Sequence, residues 1–350
     1  MNNNCNEKLC QLKIFIDFIP GLSYSRNTVK TILTVGSGKG GVGKTIFVAN
    51  LGVSLAKLGK TVILIDLDLG GSNLHTCLGV KNRFPGIGSL IYKKEPGVES
   101  LLVSTDIKQL FFVPGDSLFP GTANLNFFVK KKIIKEIGNL VADYIVIDLS
   151  GGSYFNTIDF FLITKSGMII TTPETTAILN SYSFLKSALY RLLYRSFPRG
   201  SAERRAIYEF ISNRIEGSNS SFVDLIDIIS EISVESGEIF SQQLKSFFPR
   251  IVINRGHSKR DILLGSKLRE ISRKNLGIEM EYIGFIKEDP LVSGSIFQRK
   301  PAALLYPDSD FAKTMDGITR KLIQSPLPES QRLYEADEDL ETMLQEENQG

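Results

Sequence analysis

Residues 38–45 carry the most chemically specific pattern of this sequence. In order they are Gly38, Lys39, Gly40, Gly41, Val42, Gly43, Lys44 and Thr45. The order matches GxxxxGK[ST], in which the glycines let backbone N–H groups turn toward phosphate oxygens. Lys44 would place a positive charge at the β- and γ-phosphates, and the Thr45 hydroxyl can bind Mg²⁺. The segment therefore predicts a loop that binds the phosphates of a nucleotide together with Mg²⁺.

Aspartates at the ends of two apolar segments are the second candidate for chemistry. Asp66 lies near the end of the segment at 61–67, Asp68 follows that segment, and Asp148 lies near the end of 144–149. Two carboxylates at i and i+2 on a strand point to the same side, so both can face a bound nucleotide. Open α/β sheets build their sites at the carboxyl ends of their strands. We therefore expect these carboxylates near the phosphate loop.

Short apolar runs alternate with longer amphipathic stretches from residue 31 onward, which is typical of βαβ units. Predicted strands are 31–36, 61–67, 110–113, 144–149, 167–172, 250–254 and 281–286. Predicted helices are 45–58, 126–140, 176–195, 259–276 and 310–323. The pattern predicts an α/β fold with a doubly wound, mostly parallel sheet flanked by helices.

The chain divides by composition into three parts. We expect an N-terminal extension at 1–28, one large domain at 29–324 and an acidic flexible tail at 325–350, with room for one short helix. Within the domain, 197–249 is a mostly helical insertion without a strand signal. The tail holds eight acids and one base, so the net charge of +3 conceals a clearly basic remainder.

Composition excludes several classes of protein. With 42% hydrophobic and 23% charged residues, the chain is neither disordered nor a membrane protein. Three cysteines without a CxxC pair and two histidines argue against a disulfide framework and a zinc site. No segment has the ~18–20 apolar residues of a membrane span. We expect a cytoplasmic protein, with recruitment to the membrane or the cell pole by a partner left open.

A second lysine, Lys39, starts the loop, and the run KGGVGKT resembles the deviant Walker A loop of the MinD/ParA family of dimerising ATPases. The resemblance implies a P-loop NTPase fold of the SIMIBI, MinD-like class, with ATP or ADP and Mg²⁺ as cofactors. It also implies a homodimer on ATP binding, in which Lys39 reaches the phosphates of the partner subunit. Lys39, Lys44 and Asp68 are then the catalytic residues of a slow, partner-stimulated ATPase.

The same resemblance assigns roles to the carboxylates. The segment from Asp66 to Leu74 is similar to switch I, so Asp66 would hold a Mg²⁺-bound water and Asp68 would orient the attacking water. The segment YIVID followed by LSGG is similar to Walker B and switch II. It implies that Asp148 reaches the Mg²⁺ shell and that the Gly152 N–H contacts the γ-phosphate. The metal-binding set is thus Thr45, Asp66 and Asp148.

Later segments resemble the base-binding part of the family. Asn254 matches the asparagine that reads adenine, since an amide both donates and accepts hydrogen bonds. Glu288 and Asp289 lie in the segment that closes the base pocket, and Asn50 matches a polar position that faces the site. Ile46, next to the loop, completes the expected nucleotide-binding set.

Three functions remain open from the sequence. The switch II segment is most similar to FlhG-type flagellar-number regulators, so a switch that controls the placement or number of a cellular structure is favoured, flagella before cell division. The alternatives are a ParA-like partitioning ATPase with nonspecific DNA binding and a weakly hydrolysing nucleotide-bound scaffold. DNA binding would use one of two basic sets: Lys186, Arg191, Arg195, Arg199, Arg204 and Arg205, or Arg255, Lys259, Arg260, Lys267, Arg269, Arg273 and Lys274.

Two accessories of the family are missing from the sequence. The chain ends in acids rather than in a basic amphipathic helix, which argues against membrane binding of the MinD type because anionic lipid repels acids. No DQAxxLR motif, which activates a GTPase partner of FlhG proteins, precedes Thr31. A protein partner is still expected, but the sequence does not identify it.

Overall fold

An eight-stranded sheet organises the chain in the computed structural model, which describes residues 30–81, 83–92, 95–115, 125–212, 221–325 and 337–349. Its spatial order is β3-β4-β2-β5-β1-β6-β7-β8, and only the β3–β4 pair is antiparallel. The strands are β1 (Thr31–Ser37), β2 (Val62–Leu67), β3 (Val103–Ser104), β4 (Leu110–Val113), β5 (Tyr144–Gly151), β6 (Met168–Thr171), β7 (Arg250–Gly256) and β8 (Glu281–Lys287). The predicted doubly wound, mostly parallel sheet is confirmed.

Helices connect the strands and cover both faces of the sheet. The helices before β7 are α1 (Lys44–Lys57), α2 (Leu74–Leu78), α3 (Ile87–Ile91), α4 (Phe127–Asn139), α5 (Phe155–Phe161), α6 (Thr175–Arg195), α7 (Ala202–Ser212), α8 (Asp224–Ile232) and α9 (Val234–Ser246). Those after β7 are α10 (Lys259–Leu276), α11 (Pro290–Phe297), α12 (Ala302–Leu305), α13 (Asp310–Gln324) and α14 (Glu338–Gln349). A 3-10 turn at Val98–Leu101 precedes β3.

Two hydrophobic cores lie on opposite faces of the sheet. Alternate residues of the central strands supply them: Ile145 and Ile147 of β5 enter one core, and Val146 enters the other. The first core holds the apolar faces of α4, α5, α6 and α10, and the second holds those of α1 and α13. Strands buried on both faces carry continuous apolar runs, which is why the sequence predicted them well.

Where the structure describes it, the predicted insertion at 197–249 is mostly helical. It contains α7, α8 and α9, whose buried residues Ile207, Leu225, Ile229 and Phe240 extend the first core along α6. The insertion therefore continues the single domain rather than forming a separate one.

The C-terminal segment differs from its expectation where the structure describes it. Leu340 and Met343 of α14 are buried against the first core, and Arg269 of α10 pairs with Asp337 and Asp339. Residues 337–345 are thus a docked helix rather than a flexible tail, because two apolar side chains and a buried guanidinium hold them. The expected N-terminal extension at 1–28 lies outside the described residues.

No helix in the described part of the chain is both long and apolar enough to cross a bilayer.

The predicted boundaries of extension, domain and tail remain predictions.

Candidate nucleotide site

The glycine-rich loop joins the end of β1 to the start of α1. Gly41 and Gly43 have φ angles of 81° and 92°, which favour glycine. A Cβ at Gly43 would come within 2.4 Å of the Asn254 amide nitrogen, whereas a Cβ at Gly40 or Gly41 would meet no atom within 4 Å. The loop is therefore packed on its protein side and open on the side where phosphates would lie.

Asp66 and Asp148 face each other on neighbouring strands, because they are register partners in the β2–β5 pair. Both are buried, at 0% and 1% exposure. Burial and the Asp66 carboxylate raise the pKa of Asp148 to about 8, and burial raises the pKa of Asp66 to about 6. Burial lowers the pKa of the Lys44 ammonium, while Asp148 and Asp68 oppose that shift. The sheet thus brings the lysine and the three carboxylates of the sequence prediction together.

Hydrogen bonds hold Asp66 in one orientation. Its Oδ2 accepts from the Ser72 hydroxyl at 2.6 Å and from the Leu74 N–H at 3.2 Å, and its Oδ1 accepts from the Asp68 N–H at 3.0 Å. Both oxygens are therefore used by the loop that follows β2. This arrangement suits a carboxylate that orients a water bound to a metal better than one that binds the metal itself.

The side chains present fit a magnesium ion held jointly with a nucleotide. Both carboxylate oxygens of Asp148 are buried and accept no hydrogen bond of ordinary geometry from a described residue, although the Thr45 hydroxyl lies close enough to lower the pKa of the carboxyl. Such a group is costly unless a cation or donor joins it. No cluster of three or more His, Cys, Asp or Glu side chains that could bind a metal alone occurs in the described ranges. Mg²⁺ is ordinarily bound by one or two protein groups plus phosphates and waters, so Asp148 and Thr45 would suffice.

A cavity of about 280 Å³ adjoins the loop on the side of β7 and β8. Its lining includes Gly41, Gly43, Ile46, Phe47, Asn254, Ile286, Glu288, Asp289, Val292 and Phe311. The Asn254 amide nitrogen donates to the Val42 carbonyl at 2.8 Å, and its Oδ1 accepts no hydrogen bond from the described residues. An apolar slot with one fixed amide suits a nucleobase whose amino group needs an acceptor.

Glu288 and Asp289 line the same cavity but also have structural roles. Glu288 accepts hydrogen bonds from the Arg255 guanidinium and lies 3.5 Å from His257 Nε2. Asp289 caps α11 by accepting from the Leu291 N–H at 2.8 Å. Arg255 has a φ of 58°, at an irregularity in the β7–β8 register. An exposed ion pair therefore lies at the mouth of the cavity.

Two residues expected at the site are engaged elsewhere. Asn50 is 1% exposed, donates to the Ile46 carbonyl and accepts from the Ala303 N–H, so it joins α1 to α12 and does not line the cavity. The Gly152 N–H donates to the Ser37 carbonyl at 2.9 Å, so in this structure it is bonded to β1 rather than free for a phosphate. Asn50 therefore has a structural role in this fold, and not the role at the nucleotide site that the sequence predicted.

Glu174 is a site residue that the sequence reasoning missed. Its carboxylate lies 3.0 Å from the Lys39 ammonium, and both side chains are about half exposed. Glu174 lies in the short loop between β6 and α6, at the carboxyl edge of the sheet where such sites form. This position after a predicted strand is the sequence feature that could have indicated a role at the site.

Many of the basic residues expected to contact DNA are used within the chain. Arg191 and Arg195 pair with Asp159, Arg269 with Asp337 and Asp339, and Arg273 with Glu279. Arg204 and Arg205 donate to backbone carbonyls. Part of each basic set is therefore already engaged within the chain.

Comparison with known proteins agrees with this geometry. The septum site-determining protein MinD of Helicobacter pylori is 25% identical over 259 residues, 73% of this chain and 93% of that protein. MinD of Thermotoga maritima is 36% identical over 148 residues, 42% of this chain and 54% of its own length. The chain spans about half the length of several curated relatives that it matches.

Solved structures show the same fold. MinD of Pyrococcus horikoshii, complexed with Mg-ADP, superimposes with a TM-score of 0.58 at 19% identity and covers 84% of this chain and 96% of its own. The family model for the CobQ/CobB/MinD/ParA nucleotide binding domain matches residues 33–302. With most of its length inside that match, the chain belongs to the CobQ/CobB/MinD/ParA family of nucleotide-binding domains.

Proposed function

We propose that the protein binds ATP with Mg²⁺ at the phosphate loop and hydrolyses it slowly. The observation that carries this proposal is the buried Asp148 carboxylate, which has the Thr45 hydroxyl beside it and no cation paired with it among the described residues, on the strand next to the one that leads into the open phosphate loop. A bound Mg²⁺ would offset its buried charge and polarise the terminal phosphate.

Different residues of this chain would bind the phosphates, hold the metal and orient the attacking water. Lys44 balances the charge of the β- and γ-phosphates, and the loop amides at Gly40 and Gly41 donate to phosphate oxygens. Asp148 and Thr45 would hold the metal, with Asp66 orienting a water of its shell. Asp68, half-buried at the end of β2, would orient the attacking water. Positioning and charge stabilisation account for most of the catalysis in this reaction class.

ATP binding and turnover test the proposal with two variants. We expect Lys44→Ala to abolish binding of a fluorescent ATP analogue in the presence of Mg²⁺. Asp68→Ala should bind it normally and lose turnover by about 10²–10⁴-fold, the usual worth of a group that assists proton transfer and positioning. Wild-type turnover equal to that of Asp68→Ala would instead support the nucleotide-bound scaffold, and full binding by Lys44→Ala would contradict the site.

We further infer that ATP drives formation of a homodimer through Lys39. The Lys39–Glu174 pair is about half exposed, so water screens it and Lys39 can leave at little cost. A phosphate of a partner subunit carries more charge than one carboxylate and would compete for it. Light scattering after size-exclusion chromatography should show a dimer for Asp68→Ala with ATP and Mg²⁺. Lys39→Ala added to Asp68→Ala should remain monomeric while still binding ATP.

The output of such a switch would be the population of the ATP-bound dimer, read by a protein partner. Septum site-determining relatives support a role in placing a cellular structure. The flagellar role favoured by the switch II segment remains a proposal beside septum placement. Counting flagella and measuring septum position in cells that produce only Lys44→Ala distinguishes the two.

A further inference from the structure

Helices α8 and α9 meet at a corner that leaves aliphatic side chains in water. Ser233 is the one residue between them and has an extended backbone. Ile228 and Ile232, one turn apart on α8, are 39% and 40% exposed, and Val234 at the start of α9 is 74% exposed. Three neighbouring aliphatic groups at one corner mark a contact surface more often than scattered exposed residues do.

Carboxylates surround these aliphatic groups. Asp227 and Glu231 on α8 and Glu235 on α9 are exposed. We call the set Asp227, Ile228, Glu231, Ile232, Val234 and Glu235 the acidic corner. Residues 221–244 contain five acids and no lysine or arginine. Within the described part of the chain, no ion pair uses a carboxylate of the acidic corner.

The two helices do not need these aliphatic residues for their own packing. Leu225 and Ile229 of α8 and Phe240 of α9 are fully buried on the opposite side. A Cβ at Gly237 would meet the Ser230 hydroxyl at 2.0 Å, so the helices already approach as closely as possible. The exposed aliphatic groups are thus additional to a complete core.

The negative charge of the acidic corner determines which class of partner can bind it. Apart from its acidic C-terminal segment the chain is basic, so this corner is a local reversal of sign. Anionic lipid and nucleic acid would be repelled by it. An amphipathic helix with Leu or Ile on one side and flanking Lys or Arg matches both the apolar and the charged groups. We propose that the acidic corner docks a basic amphipathic helix of a partner protein.

The acidic corner is separate from the nucleotide site. No residue of α8 or α9 lines the described nucleotide cavity. The pair is anchored at the amino ends of β6, β7 and β8, whereas the cavity lies at the carboxyl ends of β7 and β8. The Phe222 N–H donates to the Asn275 carbonyl at the end of α10, and the Phe248 N–H donates to the Lys165 carbonyl. Docking can therefore be measured without nucleotide, and its failure would leave the ATP-dependent switch untouched.

The probe is a fluorescein-labelled peptide of Leu and Lys, about 14 residues long, whose apolar residues fall on one helix face. A peptide of the same composition with its order shuffled is the control probe. Binding to the nucleotide-free full-length protein is followed by fluorescence anisotropy. We expect the amphipathic peptide to bind and the shuffled peptide to bind at least about tenfold more weakly, since only one presents a continuous apolar face.

Two protein variants separate the apolar and the charged parts of the acidic corner. Ile232→Ser with Val234→Ser keeps the charge, and Glu231→Lys with Glu235→Lys reverses two charges. Both should weaken binding by at least about tenfold, as loss of central contacts does elsewhere. Glu99→Lys with Asp106→Lys reverses two exposed acids outside the acidic corner and should leave binding unchanged.

Three results would overturn the proposal. The first is equal binding of the shuffled peptide, and the second is full binding by both corner variants with unchanged melting temperature. The third is self-association of the wild type that Ile232→Ser with Val234→Ser abolishes, since it would assign the acidic corner to a second copy of the chain.

Discussion

Asp148 is a carboxylic acid buried almost completely in the sheet, where a negative charge is costly. It lies in the central strand beside β1, loses all contact with water and faces Asp66 across the strand pair. Burial, and then the Asp66 carboxylate, raise the pKa of Asp148 to about 8 from 3.8. Between these values the folded chain holds a proton that the unfolded chain has released. The free energy of unfolding therefore falls as the pH rises through this window.

Asp148→Asn should remove that dependence. Without nucleotide and with metal chelated, the variant should melt higher than the wild type near pH 8. The difference should shrink as the pH falls toward 3.8, because there the unfolded wild-type chain also binds the proton. Thermal melts across this range measure it. Asp106→Asn, at an exposed acid, is the matched control. A pH-independent difference would contradict the assignment of the shift to Asp148.

Asp159 shows how one buried charge joins three elements. Its carboxylate, on α5, accepts hydrogen bonds from Lys130 of α4 and from Arg191 and Arg195 of α6. Burial alone would raise the pKa of Asp159, but hydrogen bonds from Arg191 and Lys130 hold it below its ordinary value. The carboxylate thus fixes α5 to α4 on one side and to α6 on the other.

Asp159→Asn should destabilise the fold strongly. It leaves Lys130, which is 8% exposed, without a counter-charge, and removing one partner from a buried pair costs about 3–5 kcal/mol. Urea unfolding of the variant, compared with that of Asp106→Asn, measures the loss. A change of less than about 0.5 kcal/mol, the usual size for surface positions, would contradict the account.

Helices and strands could be predicted from the sequence where a single physical signal marks their bounds. Strands β2 and β5 carry unbroken apolar runs, and α10 begins after Ser258 and ends before Gly277, so the sequence predicted its bounds correctly. Strand β3 has only two residues and no period to detect. Docking of α14 depends on Arg269, which is distant in sequence and appears as one more base in an exposed run.

The site could be predicted only as far as its motif extends. The positions of Lys44, Asp66 and Asp148 follow from the loop and from strand ends. Asn50 was misplaced because one polar residue on a buried helix gives no sign of which neighbour it bonds, and here Ala303 is that neighbour. Glu174 was missed because an ion pair between residues far apart in sequence leaves no local pattern.

At the scale of the whole molecule, α14 ties the end of the described chain to one edge of the sheet. Arg269 is 1% exposed and pairs with Asp337 and Asp339, and Asp339 also accepts from the Tyr282 N–H of β8 at 2.6 Å. Leu340 and Met343 are buried beneath the helix. The acids of this segment therefore serve an internal contact, and their charge is partly cancelled within the fold.

Asp337→Asn with Asp339→Asn should release α14. The substitution leaves the Arg269 guanidinium buried without a counter-charge, so local opening becomes cheaper. Hydrogen exchange of amides in 337–345 should accelerate at least about tenfold. Glu338→Gln with Glu341→Gln removes the same charge from exposed positions of the same helix and should change little. Equal exchange in the two variants would contradict the clamp.

The two edge strands of the sheet affect how readily the protein aggregates at high concentration. Open strand edges are templates for fibrils and domain swapping. Here one edge is the two-residue antiparallel β3, and α14 lies against the other, β8. Among the described residues neither edge offers a long free ladder, so growth by strand addition is hindered on both sides. Removal of residues 337–349 would then uncover β8 and should increase aggregation.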